Sequence, residues 1–154
     1  MEYEVRGTTM QTLEIRLQPG ETVFSESGGM AWMSDNMRME TGMKGGLMKA
    51  LGRGLAGESM FLVDYTPEGG QGTITFASEF PGKIIPLSLQ KGQSMICQKD
   101  AFMCAEKSVQ LEMHFRKKLG AGLFGGEGFI FQKLTGPGLA FVEIAGEVTE
   151  LQLQ

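Results

Sequence analysis

The segment Leu17 Gln18 Pro19 Gly20 Glu21 Thr22 Val23 returns as Leu89 Gln90 Lys91 Gly92 Gln93 Ser94 Met95, an offset of 72 from Leu17 to Leu89. Whatever this chain folds into must therefore contain the same turn-and-strand unit twice. The copies stay in register beyond the turn: Met30 falls on Phe102, Met37 on Val109 and Met39 on Leu111. Further on, Gly54 Leu55 Ala56 Gly57 with Phe61 Leu62 Val63 matches Gly122 Leu123 Phe124 Gly125 with Phe129 Ile130 Phe131, now at an offset of 68. The spacing predicts one β domain over residues 1–154, with a first repeat at 13–80 and a second at 85–150. Pro86 Leu87 Ser88 Leu89 Gln90, leading into the second copy, resembles Glu150 Leu151 Gln152 Leu153 Gln154. A third repeat is thus expected to be absent, with Glu150 to Gln154 forming a strand that lacks its hairpin partner.

Inside each copy the apolar spacing is two. Leu13, Ile15 and Leu17 alternate with Glu14 and Arg16, and Val109, Leu111 and Met113 alternate with Gln110 and Glu112, which is the pattern of a half-buried strand. Phe61 to Tyr65, Thr73 to Ala77, Gly128 to Lys133 and Leu139 to Ala145 are short aromatic or β-branched runs bounded by turn residues. The chain carries 23 Gly, about twice the usual share of roughly 7%, in keeping with many tight turns. These features predict an all-β fold, a sandwich or rolled barrel built from internal repeats. One short helix at most is expected, over Lys44 to Leu55, where Leu47, Met48, Leu51 and Leu55 line one side.

A chain of 154 residues with net charge -4 lacks the sequence-independent attraction to phosphate of most nucleic-acid binders. No apolar stretch approaches the roughly 20 residues that span a bilayer. The start, with Glu2 and Glu4, is acidic where a targeting peptide would be basic. A cytoplasmic protein is expected. Cys97 and Cys104 are too few for a disulfide scaffold and lie in an alternating apolar region, as structural thiols do.

Chemistry-bearing motifs are sparse. The pattern G-x-G-x-x-G occurs at Gly52 to Gly57 and at Gly120 to Gly125, but strands rather than helices follow at Phe61 and Phe129, so the helix dipole that holds a pyrophosphate is missing. His114 is the one imidazole available as a base for a Ser or Cys nucleophile, and alternation puts it on the polar face of its strand. Two Cys and one His do not make a zinc set at ordinary spacing. Glu14, Glu26, Glu40, Glu58, Glu79, Glu112, Glu127 and Glu143 form no local pair of the hydrolase type. Neither catalytic residues, a metal site nor a cofactor is expected. Arg116, Lys117 and Lys118 fall short of a polybasic cluster.

The two glycine-rich loops are less ordinary, because each carries large apolar residues that need cover. Leu47, Met48, Leu51 and Leu55 in one and Leu123 and Phe124 in the other are the candidate contact residues. Packing over the end of the sandwich, a homo-oligomer interface and a peripheral membrane surface all fit them. The reading that follows is a non-catalytic, self-associating scaffold or interaction protein. Its alternatives are a small-ligand or RNA-binding module and a carboxylate-based enzyme using Glu residues with His114.

The order Gly45 Gly46 Leu47 Met48 Lys49 Ala50 Leu51, Gly57 Glu58 Ser59 Met60 Phe61 Leu62, Phe80 Pro81 Gly82 Lys83 Ile84 Ile85 Pro86 Leu87, and Gly120 Ala121 Gly122 Leu123 Phe124 Gly125 Gly126 Glu127 Gly128 resembles a known family. It is the uncharacterised bacterial family related to the mitochondrial-biogenesis protein of the altered-inheritance-of-mitochondria class. The resemblance covers essentially the whole chain. It implies a fold similar to the trp RNA-binding attenuation protein (TRAP), a double-stranded β-helix or sandwich, without enzymatic activity, and a link in mitochondrial members to inner-membrane organisation. It supplies no catalytic or ligand-binding residue to carry over, and family members generally continue past the position of Gln154 with further strands.

Overall fold

Leu13, Ile15 and Leu17 are all fully buried, while the residues between them are more exposed, so the period of two in the sequence is the period of burial in the fold. The computed structural model describes residues 1–42, 61–117 and 129–152. Among these, the strands are β1 (Glu2–Arg6), β2 (Thr12–Leu17), β3 (Val23–Glu26), β4 (Met30–Met33), β5 (Met37–Gly42), β6 (Leu62–Pro67) and β7 (Gly72–Ala77). They continue with β8 (Gly82–Leu89), β9 (Ser94–Gln98), β10 (Phe102–Glu106), β11 (Gln110–Lys117), β12 (Phe129–Thr135) and β13 (Gly138–Ala145). The helical content of the described residues is one 3-10 turn, Lys99–Ala101. The protein is all-β. The helix expected over Lys44 to Leu55 lies outside the described residues.

The strands form three antiparallel sheets, ordered β1-β2-β7-β4, β5-β6-β3-β10-β13-β8 and β11-β12-β9. The six-stranded sheet is apolar on both faces. Val23, Tyr65, Cys104 and Phe141 join one core with Leu13, Ile15, Leu17, Ile74 and Phe76 of the four-stranded sheet. Phe24, Leu62, Ala105, Ala140 and Val142 join a second core with Leu111 and Leu134 of the three-stranded sheet. A third sheet is thus added to the two that alternation alone called for, and the six-stranded sheet contributes side chains to both cores.

The two copies repeat in detail. The Gln18 carbonyl accepts the Glu21 N–H at 3.0 Å while the Glu21 carboxylate accepts the Gln18 N–H at 2.8 Å; Gln90 and Gln93 exchange the same two bonds at 2.9 and 3.0 Å. Gly20 and Gly92 hold φ of +91° and +80°, a region that glycine enters at no steric cost. Met30, Trp32 and Met33 pair with Phe76, Thr75 and Ile74, and Phe102, Cys104 and Ala105 pair with Val142, Phe141 and Ala140, with a bulge at the same point of each ladder. The turn hydroxyls match as well: Thr22 bonds Thr66 at 2.8 Å and Ser94 bonds Thr135 at 3.0 Å.

The structure corrects two expectations. Leu62 pairs with Gly42 and Glu26, as Phe131 pairs with Phe115 and Gln98, so Leu62 corresponds to Phe131 and not to Ile130. The sequence match at an offset of 68 is one residue out, and on a strand one residue exchanges the faces. The second concerns Glu150 to Gln154, whose described residues, 150–152, lie in no strand. The last strand ends at Ala145, Gly146 takes φ of +80° and gives its N–H to the Pro81 carbonyl at 2.8 Å, and Leu151 is exposed. Alternation makes a strand only where a neighbour supplies hydrogen bonds and cover, and here none of the described residues does.

The paired turns carry a direct prediction. A Cβ on Gly20 or Gly92 would meet nothing within 4 Å, so alanine costs only the left-handed backbone, about 1–2 kcal/mol. Urea unfolding of Gly20→Ala and Gly92→Ala should give losses of that size, equal within error. A loss at only one of them would show that the turns are not equivalent.

Candidate interaction surface

The residues that could carry chemistry are dispersed. His114 is exposed on β11, at the register shift between the pairs Met113 with Gln132 and Phe115 with Phe131. It has no counterpart in β5, where pairing runs unbroken. Glu14 pairs with Arg6 and Arg16, Glu40 with Arg38, and Glu112 faces Lys133 across the ladder. Such surface pairs are screened by water and contribute little to stability. The Glu79 N–H donates to the Glu143 carboxylate at 3.1 Å, and burial pushes that carboxyl up from its ordinary value against this bond. Among the described residues, no three His, Cys, Asp or Glu lie where they could hold a metal ion. Glu58, Glu127, Lys118 and both G-x-G-x-x-G segments lie outside the described residues.

Both thiols are free. Cys104 is fully buried and its thiol is held well above the usual value by burial. Cys97 is half-buried, and burial with the nearby Glu26 charge pushes it to about 11. Neither is a thiolate at neutral pH, so neither has the lowered pKa of a reactive cysteine.

A polar group inside the apolar run of β12 escaped sequence reasoning. Gln132 is fully buried, and its side-chain N–H donates to Glu26 Oε1 at 2.5 Å, tying the three-stranded sheet to β3 of the six-stranded one. Beside it the buried Ser25 hydroxyl donates to the Glu26 carbonyl at 2.8 Å and lies 3.5 Å from Tyr65 Oη. Burial raises the Tyr65 phenol, opposed by that contact with Ser25. A glutamine between Phe131 and Lys133 was the one available sign, since polar residues in an apolar run are buried only where a partner awaits them. Lys107 forms an ion pair with Asp64, which stands on β6 opposite Phe24.

Several large apolar side chains are also exposed. Trp32 on β4 and Met95 and Ile96 on β9 present large side chains to solvent, as do Tyr3, Met39, Phe61 and Phe80. The candidate residues Leu47, Met48, Leu51, Leu55, Leu123 and Phe124 lie outside the described residues. They connect corresponding strands: the first segment joins β5 to β6 beyond the pair Gly42 with Leu62, and the second joins β11 to β12, whose ladder continues past the matching pair, Phe115 with Phe131, to Lys117 with Phe129. No helix among the described residues is long and apolar enough to cross a membrane.

Residues 3–154 match the family model described as mitochondrial biogenesis AIM24. The chain belongs to the AIM24 family. An uncharacterised protein of Streptococcus pyogenes serotype M6 is 31% identical over 156 residues, covering 96% of this chain and 62% of that protein. The crystal structure of a Streptococcus pyogenes protein matches with a TM-score of 0.70 and 26% identity, over 94% of this chain and 65% of that one. The AIM24-family chain thus spans under two thirds of the length of these relatives. Its fold is that of the solved relative over most of the chain.

Proposed function

We propose that this AIM24-family chain is a non-catalytic, self-associating scaffold of the cytoplasm whose apolar surface meets copies of itself or a membrane surface. The observation that carries this reading is a contrast in use. Several polar side chains are engaged in structural pairs, such as Gln132 with Glu26 and Lys107 with Asp64, while large apolar side chains such as Trp32, Met95 and Ile96 are left at the surface. Large apolar side chains left on strand edges mark surfaces that a partner can cover. The loop residues Leu51 and Phe124 are further contact residues in this reading, each contributing about 1.5–3 kcal/mol on full burial.

Replacing Leu51 and Phe124 together by Asp should shift sedimentation toward the monomer, or abolish recovery on anionic liposomes, while leaving the β circular-dichroism signal intact. Unchanged assembly together with unchanged liposome recovery would remove the loops from the proposal. The other readings make different predictions: a ligand or RNA-binding module on a TRAP-like fold would retain a small molecule or an oligonucleotide in native mass spectrometry. A carboxylate enzyme would show a turnover lost in His114→Ala.

A further inference from the structure

The six-stranded sheet is continuous because the second copy reaches into the first: β10 pairs with β3, in the register Cys104 with Ser25, Ala105 with Phe24 and Glu106 with Val23. The same ladder is begun and left unfinished elsewhere. β4 is the counterpart of β10, since both pair with the last strand of their copy through the same bulged register. β9 is the counterpart of β3, since Met95 faces Leu134 as Val23 faces Tyr65. Yet β4 ends the four-stranded sheet and β9 ends the three-stranded one, and among the described residues neither has a second neighbour.

Exposure follows this difference. Val23, Phe24, Ser25, Cys104 and Ala105 are all buried where the ladder is made. At the corresponding positions of the unfinished edges, Met95 is 41%, Ile96 49% and Trp32 57% exposed, while Cys97 and Met33, packed against the two cores, are half-buried. These residues stay apolar, on edges that carry no lysine or proline within the strand to discourage pairing. One chain therefore displays both halves of a ladder it already builds once, and a second copy of the chain is the partner that displays the matching half.

We propose that β9 of one copy pairs antiparallel with β4 of a second copy, placing Cys97 opposite Trp32, Ile96 opposite Met33 and Met95 opposite Ser34. The contact is head-to-tail, so each copy uses β9 toward one neighbour and β4 toward another, giving a ring if the rotation closes and a filament if it does not. It rests on the self-association proposed above and assigns it to two edges and a register.

The test is sedimentation of the full chain across a wide concentration range, with edge variants and a crosslink. Ile96→Lys and Trp32→Lys, both at exposed positions, should each raise the concentration needed for assembly at least tenfold without changing the circular dichroism. Adding Met33→Glu to Ile96→Lys should restore assembly, because opposite charges directly across a ladder attract. Trp32→Cys treated with a short bismaleimide should yield a crosslink between positions 32 and 97 of different copies. A crosslink joining Cys97 only to Cys97 would overturn the head-to-tail register. Wild-type assembly that survives both lysine variants but fails on the Leu51 and Phe124 double replacement would overturn the edge pairing and leave the scaffold reading standing. A wild-type chain that is monomeric throughout would remove both.

Discussion

Replacing Phe141 by alanine should lower the unfolding free energy by about 3–5 kcal/mol, the range for large-to-small changes at buried aromatic sites. Phe141 is fully buried on β13, the strand between β10 and β8, where it faces Cys104 on one side and Pro86 on the other. Its ring meets the Tyr3 ring of β1 edge-on, with centroids 4.9 Å apart, which couples the four-stranded sheet to the six-stranded one. Truncation opens a cavity between layers that strand hydrogen bonds prevent from closing. A domain of this kind has about 5–15 kcal/mol in total, so the variant should unfold at a much lower urea concentration. Tyr3→Ala, at a partly exposed position, should cost far less. A Phe141→Ala loss of under about 1 kcal/mol would show that the two layers do not share this core.

The second large effect is expected at Gln132. Gln132→Glu puts a second carboxylate against Glu26 in a fully buried position and removes the donor between them, a change of the kind that costs about 3–5 kcal/mol when the charge is uncompensated. The sign with pH follows from the raised pKa such a group must have in the folded state. Below the unfolded carboxyl value of about 4.3 the introduced group is protonated in both states and the variant is least impaired. As pH rises from there toward the folded value, the native state holds the extra proton and stability falls. Gln132→Leu should instead cost about 1.5–3 kcal/mol for the lost bond to a charged partner, without that added pH dependence. Thermal unfolding at pH 4 and pH 7 distinguishes the two, and a Gln132→Glu variant no less stable at pH 7 than at pH 4 would contradict the Gln132 to Glu26 geometry.

Much of the local structure was legible before any coordinates. Leu13, Ile15 and Leu17 announced a buried face, the Pro19 Gly20 and Lys91 Gly92 turns take positive φ, the equivalence of Met30 and Met39 with Phe102 and Leu111 fits the ladders, and that of Met37 with Val109 fits their turn bonds to the Ser34 and Glu106 carbonyls. Chain-local physics suffices for these: which side a residue takes follows from the period of two, and which residue turns the chain follows from its allowed φ. His114 was placed correctly on a polar face, but its position at a bulge depends on how β11 slips against β12. The candidate loop residues fall where the structure gives no description, so their role rests on the sequence alone.

What only the tertiary structure decided was partnership. Backbone hydrogen bonds are the same for every residue, so alternation specifies a face without specifying a neighbour, and nothing in Cys104 Ala105 Glu106 marks them for Val23 Phe24 Ser25 rather than for another edge. That choice is made by which side chains jointly fill a core. It also corrected the offset between Leu62 and Phe131 and left the described part of Glu150 to Gln154 without a strand to join. The sequence by itself determined the alternating strands such as β2, the faces they bury and the paired Gly20 and Gly92 turns; packing between distant segments decided that β3 and β10 meet, and so left β4 and β9 as the edges that do not.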